Sequence, residues 1–296
     1  MTRRQQACFV AYAGVLLAGF LVPLQACQEL PAEKQEKITT TKPVVRKGEI
    51  QTRKYDFKKA GKEMDYVLYV PKLYEPGKKM PLVVALHGLG STPGQIMRYP
   101  GLTKLAEKYG FIVVAPWGYN NRGWYGSLGQ KSRRSRPENL GELSELDVMN
   151  VLAIVRRDFK IDDQRIYLMG HSMGGGGTFH LAIKYPDIWT ALGTVAPAVY
   201  AAPDRLAEIK HLPVIVVQGD RDRLVSVKQT RVWIEKMKEL KMKHVYIEVA
   251  GGGHIYVAFN NMPRIFEFFS KQVRKQLPVK QLPTKVKPAP QKAVGS

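Results

Sequence analysis

Cysteine is nearly missing from this chain of 296 residues. The two present, Cys8 and Cys27, both precede the stretch with globular patterning, so no disulfide framework can staple a core. There is no H-E-x-x-H, no cysteine cluster and no dinucleotide fingerprint, and neither a metal nor an organic cofactor is expected. Signatures of zinc fingers, helix-turn-helix units and aromatic RNA-binding sheets are also lacking. Specific nucleic-acid recognition is therefore not expected, despite a formal charge of +21.

Acidic residues are absent from the C-terminal end and outnumbered two to one near the N-terminal end. Residues 271–296 hold seven Lys or Arg and no acid, residues 27–62 hold ten basic and five acidic, and residues 63–270 hold 27 basic against 20 acidic. The excess charge sits in the ends, where it favours loose attraction to anionic surfaces such as lipid head groups or wall polymers.

Residues 1–27 have the three parts of an export signal: Arg3 and Arg4, an apolar core from Ala11 to Leu24, and small residues before a cleavage point. Leu24-Gln25-Ala26-Cys27 resembles the lipobox of bacterial lipoproteins, with Cys27 as the lipidated residue and a membrane tether. An exported, envelope-anchored protein is expected, with periplasmic or secreted forms as alternatives. Residues 28–49 are rich in Lys, Glu, Thr and Pro and read as a flexible linker, because too little apolar surface is present to offset ordering entropy. Residues 50–275 read as one catalytic domain. Residues 276–296 repeat Leu-Pro and Lys-Pro and read as an extended, basic, disordered tail.

Within the domain, strands are expected at 51–57 and 64–70 as a hairpin, then at 81–86, 111–115, before Ser172, and at 191–196, 213–217 and 244–249. Helical spacing marks 102–109, 143–159 and the segment after Ser172, and a last helix is expected from Asn261 or Pro263 to Arg274. Continuous apolar strands alternating with helices indicate a mainly parallel central sheet with helices on both faces, an α/β fold.

The stretch RIYLMGHSMGGGGT organises this domain. A strand enters Gly170-His171-Ser172-Met173-Gly174 and a helix leaves it, so the G-x-S-x-G turn presents the Ser172 hydroxyl above the strand's carboxyl end. Ser172 is the candidate nucleophile. An acid is expected in the loop after the seventh strand, where Asp222 is preferred over Asp220, and a base after the last strand, where His254 follows three glycines. His171 sits inside the turn, His180 on a helix, and His211 and His244 beside strands, so each fits the base role less well. His87-Gly88-Leu89-Gly90 at the end of the third strand suits an oxyanion hole made by the N–H groups of Leu89 and Met173. The loop 116–141 carries Trp117, Tyr119 and Trp124, either lining a substrate pocket or packing the loop onto the body.

YVLYVP, PLVVALHGLG, LAEKYGFIVVAP, RIYLMGHSMGG and QGDRDRLV, in that order, resemble the α/β-hydrolase superfamily over about residues 50–273. Within it the pattern is similar to secreted esterases grouped with polyhydroxybutyrate depolymerases and feruloyl esterases. The resemblance implies a small-molecule or polymeric carboxylic ester as substrate, with Ser172, Asp222 and His254 as nucleophile, acid and base. GHSMGGGGT also resembles cutinases, but the acid and histidine loops differ and the core lacks their cysteines. The alternatives are a serine peptidase of the prolyl-oligopeptidase type and a non-catalytic envelope binding protein on the same fold.

Overall fold

The computed structural model describes residues 44–274. The export signal, Cys27, the linker up to residue 43 and the tail from residue 275 lie outside the described residues.

Eight strands form one sheet: β1 (Ile50–Phe57), β2 (Lys62–Tyr69), β3 (Met80–Leu86), β4 (Ile112–Pro116), β5 (Ile161–His171), β6 (Ala191–Val195), β7 (Val214–Gly219) and β8 (His244–Val249). Their spatial order is β1-β2-β4-β3-β5-β6-β7-β8. β1 pairs antiparallel with β2, and β2 with β4, while every later pair is parallel. Such an arrangement puts the central β5 between β3 and β6, with the ends of several parallel strands converging on its carboxyl end.

Six helices cover the sheet: α1 (Pro93–Met97), α2 (Leu102–Tyr109), α3 (Leu140–Asp158), α4 (Met173–Lys184), α5 (Val227–Glu239) and α6 (Tyr256–Ser270). The alternation of side chains along a strand divides the core in two. Leu82, Val84 and Leu86 of β3 join residues of α3, α4 and α5 on one face, whereas Val83 and Ala85 join α1, α2 and α6 on the other. With both faces covered, β3, β4, β6 and β7 are buried at every position, whereas the start of β5 and the edge strand β8 carry polar residues.

Two boundaries differ from the sequence reading. Residues before Ile50 are not all loose: the Gly48 N–H donates to the Val70 carbonyl at 2.7 Å, and Val45 packs on the core. The last helix begins at Tyr256, five residues before the expected start, and contains Pro263. A proline inside a helix costs about 3 kcal/mol. Val257, Ala258, Met262, Ile265, Phe266 and Phe269 are all buried along this helix, and each large apolar side chain contributes roughly 1.5 to 3 kcal/mol, so burial outweighs the proline. The helix ends at Ser270, and the Arg274 N–H turns back to the Gln164 carbonyl at 3.0 Å.

Candidate active site

Ser172 stands between β5 and α4 with φ 57° and ψ −117°, a left-handed conformation costly for a side chain with a Cβ. Close packing enforces it. A Cβ on Gly170 would lie 2.1 Å from the Gly174 carbonyl oxygen, and one on Gly174 would lie 2.1 Å from that of Leu86. Backbone bonds then lock the turn: the Ser172 N–H donates to Val195 at 2.9 Å, and the Ser172 carbonyl accepts from Gly176 at 3.1 Å and Ala198 at 2.9 Å.

The loops after β7 and β8 bring the acid and the histidine together. Nδ1 of His254 lies 2.7 Å from Oδ2 of Asp222. The same Oδ2 accepts from Gln218 Nε2 at 3.1 Å, and Oδ1 accepts from the N–H groups of Leu224 at 2.8 Å and Val225 at 2.9 Å. Burial alone would raise the Asp222 pKa. The Val225 N–H, His254 and the Leu224 N–H outweigh that and hold it below the usual carboxylate range. Asp220 takes a different part, accepting from the Gly251 N–H at 2.7 Å. Gln218 is itself fixed, its Oε1 accepting from the Thr230 hydroxyl at 2.9 Å.

His254 also reaches the nucleophile turn. Its ring lies 4.8 Å from that of His171, and its carbonyl oxygen is 3.0 Å from Nε2 of His171. A Cβ placed on Gly88 would be 3.4 Å from the Ser172 Cβ, so the backbone at Gly88 passes beside the serine. The Gly90 N–H donates to Asn121 and the Ser91 N–H to Gly88. Among the described residues the Leu89 N–H has no acceptor, and the Met173 N–H opens the first turn of α4, where no intrahelical acceptor exists.

Trp117 and Tyr119 pack this part of the loop onto the body and also line a recess of about 520 Å³ with Lys62, Met64 and Asn121. Both join a cluster with Phe57, Met64 and Leu143, and the Lys62 ammonium lies 3.9 Å over the Tyr119 ring. The reason is Asp147, whose carboxylate accepts from the N–H groups of Gly118 at 2.6 Å and Tyr119 at 3.3 Å and from the Tyr55 hydroxyl. That anchor turns this part of the loop toward the β1-β2 hairpin. Trp124 lies 5.6 Å from Tyr200, which borders a recess of about 60 Å³ lined by Ser127, Gly176, Phe179, Ala198, Val199 and Trp233 among others. A larger recess of about 850 Å³ lies between β1 and α3, and none of these three recesses is lined by Ser172, Asp222 or His254.

The sequence profile of the Esterase family matches residues 58–268. The chain belongs to the Esterase family. Relatives of this Esterase-family protein include a bifunctional acetylxylan esterase/xylanase of Neocallimastix patriciarum, 24% identical over 186 residues, which cover 62% of this chain and 25% of that protein. Feruloyl esterase B of Neurospora crassa is 31% identical over 124 residues, 40% of each chain. The chain spans between a quarter and about half the length of such curated relatives. Among solved structures, a ferulic acid esterase from Anaeromyces mucronatus superposes with a TM-score of 0.61 at 19% identity, covering 80% of this chain and 95% of that one. A thermostable esterase gives 0.60 at 24% identity, over 76% and 63%. The fold of this Esterase-family protein is that of the α/β-hydrolases, an eight-stranded, mostly parallel sheet with helices on both faces.

Proposed function

We propose that the protein is a serine carboxylic ester hydrolase in which Ser172 is the nucleophile, His254 the base and Asp222 the orienting acid. The observation that carries this reading is the 2.7 Å bond from His254 to a buried, fully hydrogen-bonded Asp222, next to the strained turn of Ser172. With Nδ1–H committed to Asp222, the lone pair of the His254 ring is on Nε2. Nε2 takes the Ser172 proton as Oγ attacks the ester carbonyl, and Asp222 stabilises the imidazolium. The N–H groups of Leu89 and Met173 hold the oxyanion, the alcohol leaves with the proton from His254, and water releases the acid.

The recess on α4 starts one helical turn from Ser172, and its wall residue Ala198 is bonded to the Ser172 carbonyl. The names of the relatives, acetylxylan esterase, feruloyl esterase and S-formylglutathione hydrolase, have acyl transfer to water in common. Export through residues 1–27, lipidation at Cys27 and contact of the basic ends with anionic surfaces complete the proposal. They place the enzyme at a bacterial envelope, on an ester substrate small or polymeric.

The test is hydrolysis of p-nitrophenyl acetate, butyrate and octanoate and of methyl ferulate by the wild type and by Ser172→Ala. Turnover by the wild type alone is the expected result, with the chain-length profile sizing the acyl pocket. Absence of both turnover and labelling by a fluorophosphonate would remove the esterase reading.

A further inference from the structure

His171 is buried in the middle of a polar chain that no step above uses. Its Nε2 is 3.0 Å from the His254 carbonyl oxygen, and its Nδ1 is 2.7 Å from the hydroxyl of Tyr99, which lies in the turn between α1 and α2. The direction of both bonds follows from chemistry. A carbonyl oxygen can only accept, so Nε2 carries the ring proton. Burial first, and then the charge of the adjacent His254, lower the His171 pKa to about 4, leaving the ring neutral and Nδ1 with a lone pair only. The hydroxyl must then donate, and burial keeps it protonated by raising the Tyr99 pKa to about 12. Phe259 packs on the Tyr99 ring at 4.9 Å and holds it in place.

His254 needs such an anchor. It follows Gly251, Gly252 and Gly253, the most permissive backbone a chain can offer. Asp220 fixes the start of that run through Gly251, Val249 and Arg221 hold both backbone groups of Gly252, and the His254 carbonyl is the point at which its far end meets the turn of Ser172. The meeting point is the residue covalently joined to Ser172.

We propose that His171 is a positioning residue that ties the backbone of the base to the segment of the nucleophile, with Tyr99 fixing the ring tautomer that makes the tie. The role rests on the assignment of His254 as base. A base displaced by about 1 Å costs up to roughly a hundredfold in rate while leaving the groups that bind substrate in place.

The experiment compares kcat and KM for p-nitrophenyl butyrate in the full-length wild type, His171→Leu, His171→Gln and Tyr99→Phe, with melting temperatures and fluorophosphonate labelling of each. His171→Leu is expected to lower kcat roughly 30-fold with KM within about twofold. His171→Gln, whose amide can donate from nearly the position of Nε2, should restore kcat to within about threefold of the wild type, and Tyr99→Phe should lower it by a smaller factor. Wild-type kcat in a folded His171→Leu protein overturns the proposal, as do equal losses in the Leu and Gln variants. Should His171→Leu fail to fold, Tyr99→Phe decides: reduced kcat at unchanged KM supports the tie, and wild-type kcat overturns it. A wild type inert to both ester and probe removes the esterase assignment and the tie together, whereas an active wild type with an equally active Leu variant removes the tie alone.

Discussion

His254 and Asp222 meet at 2.7 Å across 32 residues of chain, the ring nearly buried and the carboxylate fully so. Four donors converge on that carboxylate, from His254, Gln218, Leu224 and Val225. A group so supplied keeps its charge, and the charge rather than the shape is what His254 needs.

Asp222→Asn tests the charge. The amide keeps the size but presents an N–H or a weaker acceptor to Nδ1, which disfavours the productive tautomer. The expected fall in kcat is on the order of 10³-fold or more, with KM little changed, measured on p-nitrophenyl butyrate.

The strain at Ser172 predicts a trade of stability for activity. Ser172→Gly removes both the hydroxyl and the Cβ that opposes φ 57°, whereas Ser172→Ala removes the hydroxyl alone. Both should be inactive on esters. In urea unfolding the glycine variant should be more stable than the alanine variant by about 1 kcal/mol, since the relief of strain exceeds the entropy cost of glycine.

Close packing at Gly174 leaves no room for even one methyl group. A Cβ there would stand 2.1 Å from the Leu86 carbonyl oxygen, a backbone atom that cannot step aside. Gly174→Ala should cost about 3 kcal/mol or more and displace the Met173 N–H, so that melting temperature and kcat fall together. An alanine variant with wild-type melting behaviour would contradict this packing.

Glu145 predicts the acid limb of stability. Its side chain is almost wholly buried on α3 and accepts from His180, Lys184 and Tyr185. Burial alone would raise its pKa; the bonds from these three outweigh burial and lower it from 4.5 to about 2. Since the folded value lies below the unfolded one, the stabilisation is complete above about pH 4.5 and is lost as the pH falls toward 2. Glu145→Gln should flatten the loss between those limits in urea titrations at stepped pH, and Glu145→Ala should cost about 2 to 3 kcal/mol at pH 7, allowing for the partial exposure of Lys184.

Much of the frame was legible in order. All eight strands lie within a few residues of the segments read from apolar runs or alternation; the interior ones are plainest because a strand buried on both faces has few polar positions, whereas β1 and β8 at the edges are largely half-buried or exposed. The helix α5 is absent from the sequence reading although its pattern is plain: Thr230, Trp233, Ile234 and Met237 are its buried residues, spaced as one helical stripe. Pro263 misled the reading of α6, since the local rule against proline yields to burial of a whole helix face. His171 was set aside as a base, and its local sequence gave no reason to look further; Tyr99 carried no signal at all, because its partner lies 72 residues away.

By itself the sequence determined the alternation of strands and helices, the strained turn at Ser172 and the order of serine, acid and histidine, all of which follow from local pattern and steric rules. Only the tertiary structure decided that Asp222 rather than Asp220 faces His254, that Trp117 and Tyr119 pack against the hairpin while Trp124 meets Tyr200, and that His171 touches the His254 backbone. Each of these depends on where separate loops come to rest at the ends of parallel strands, and a hydrogen bond between distant loops leaves no periodicity in the chain that makes it.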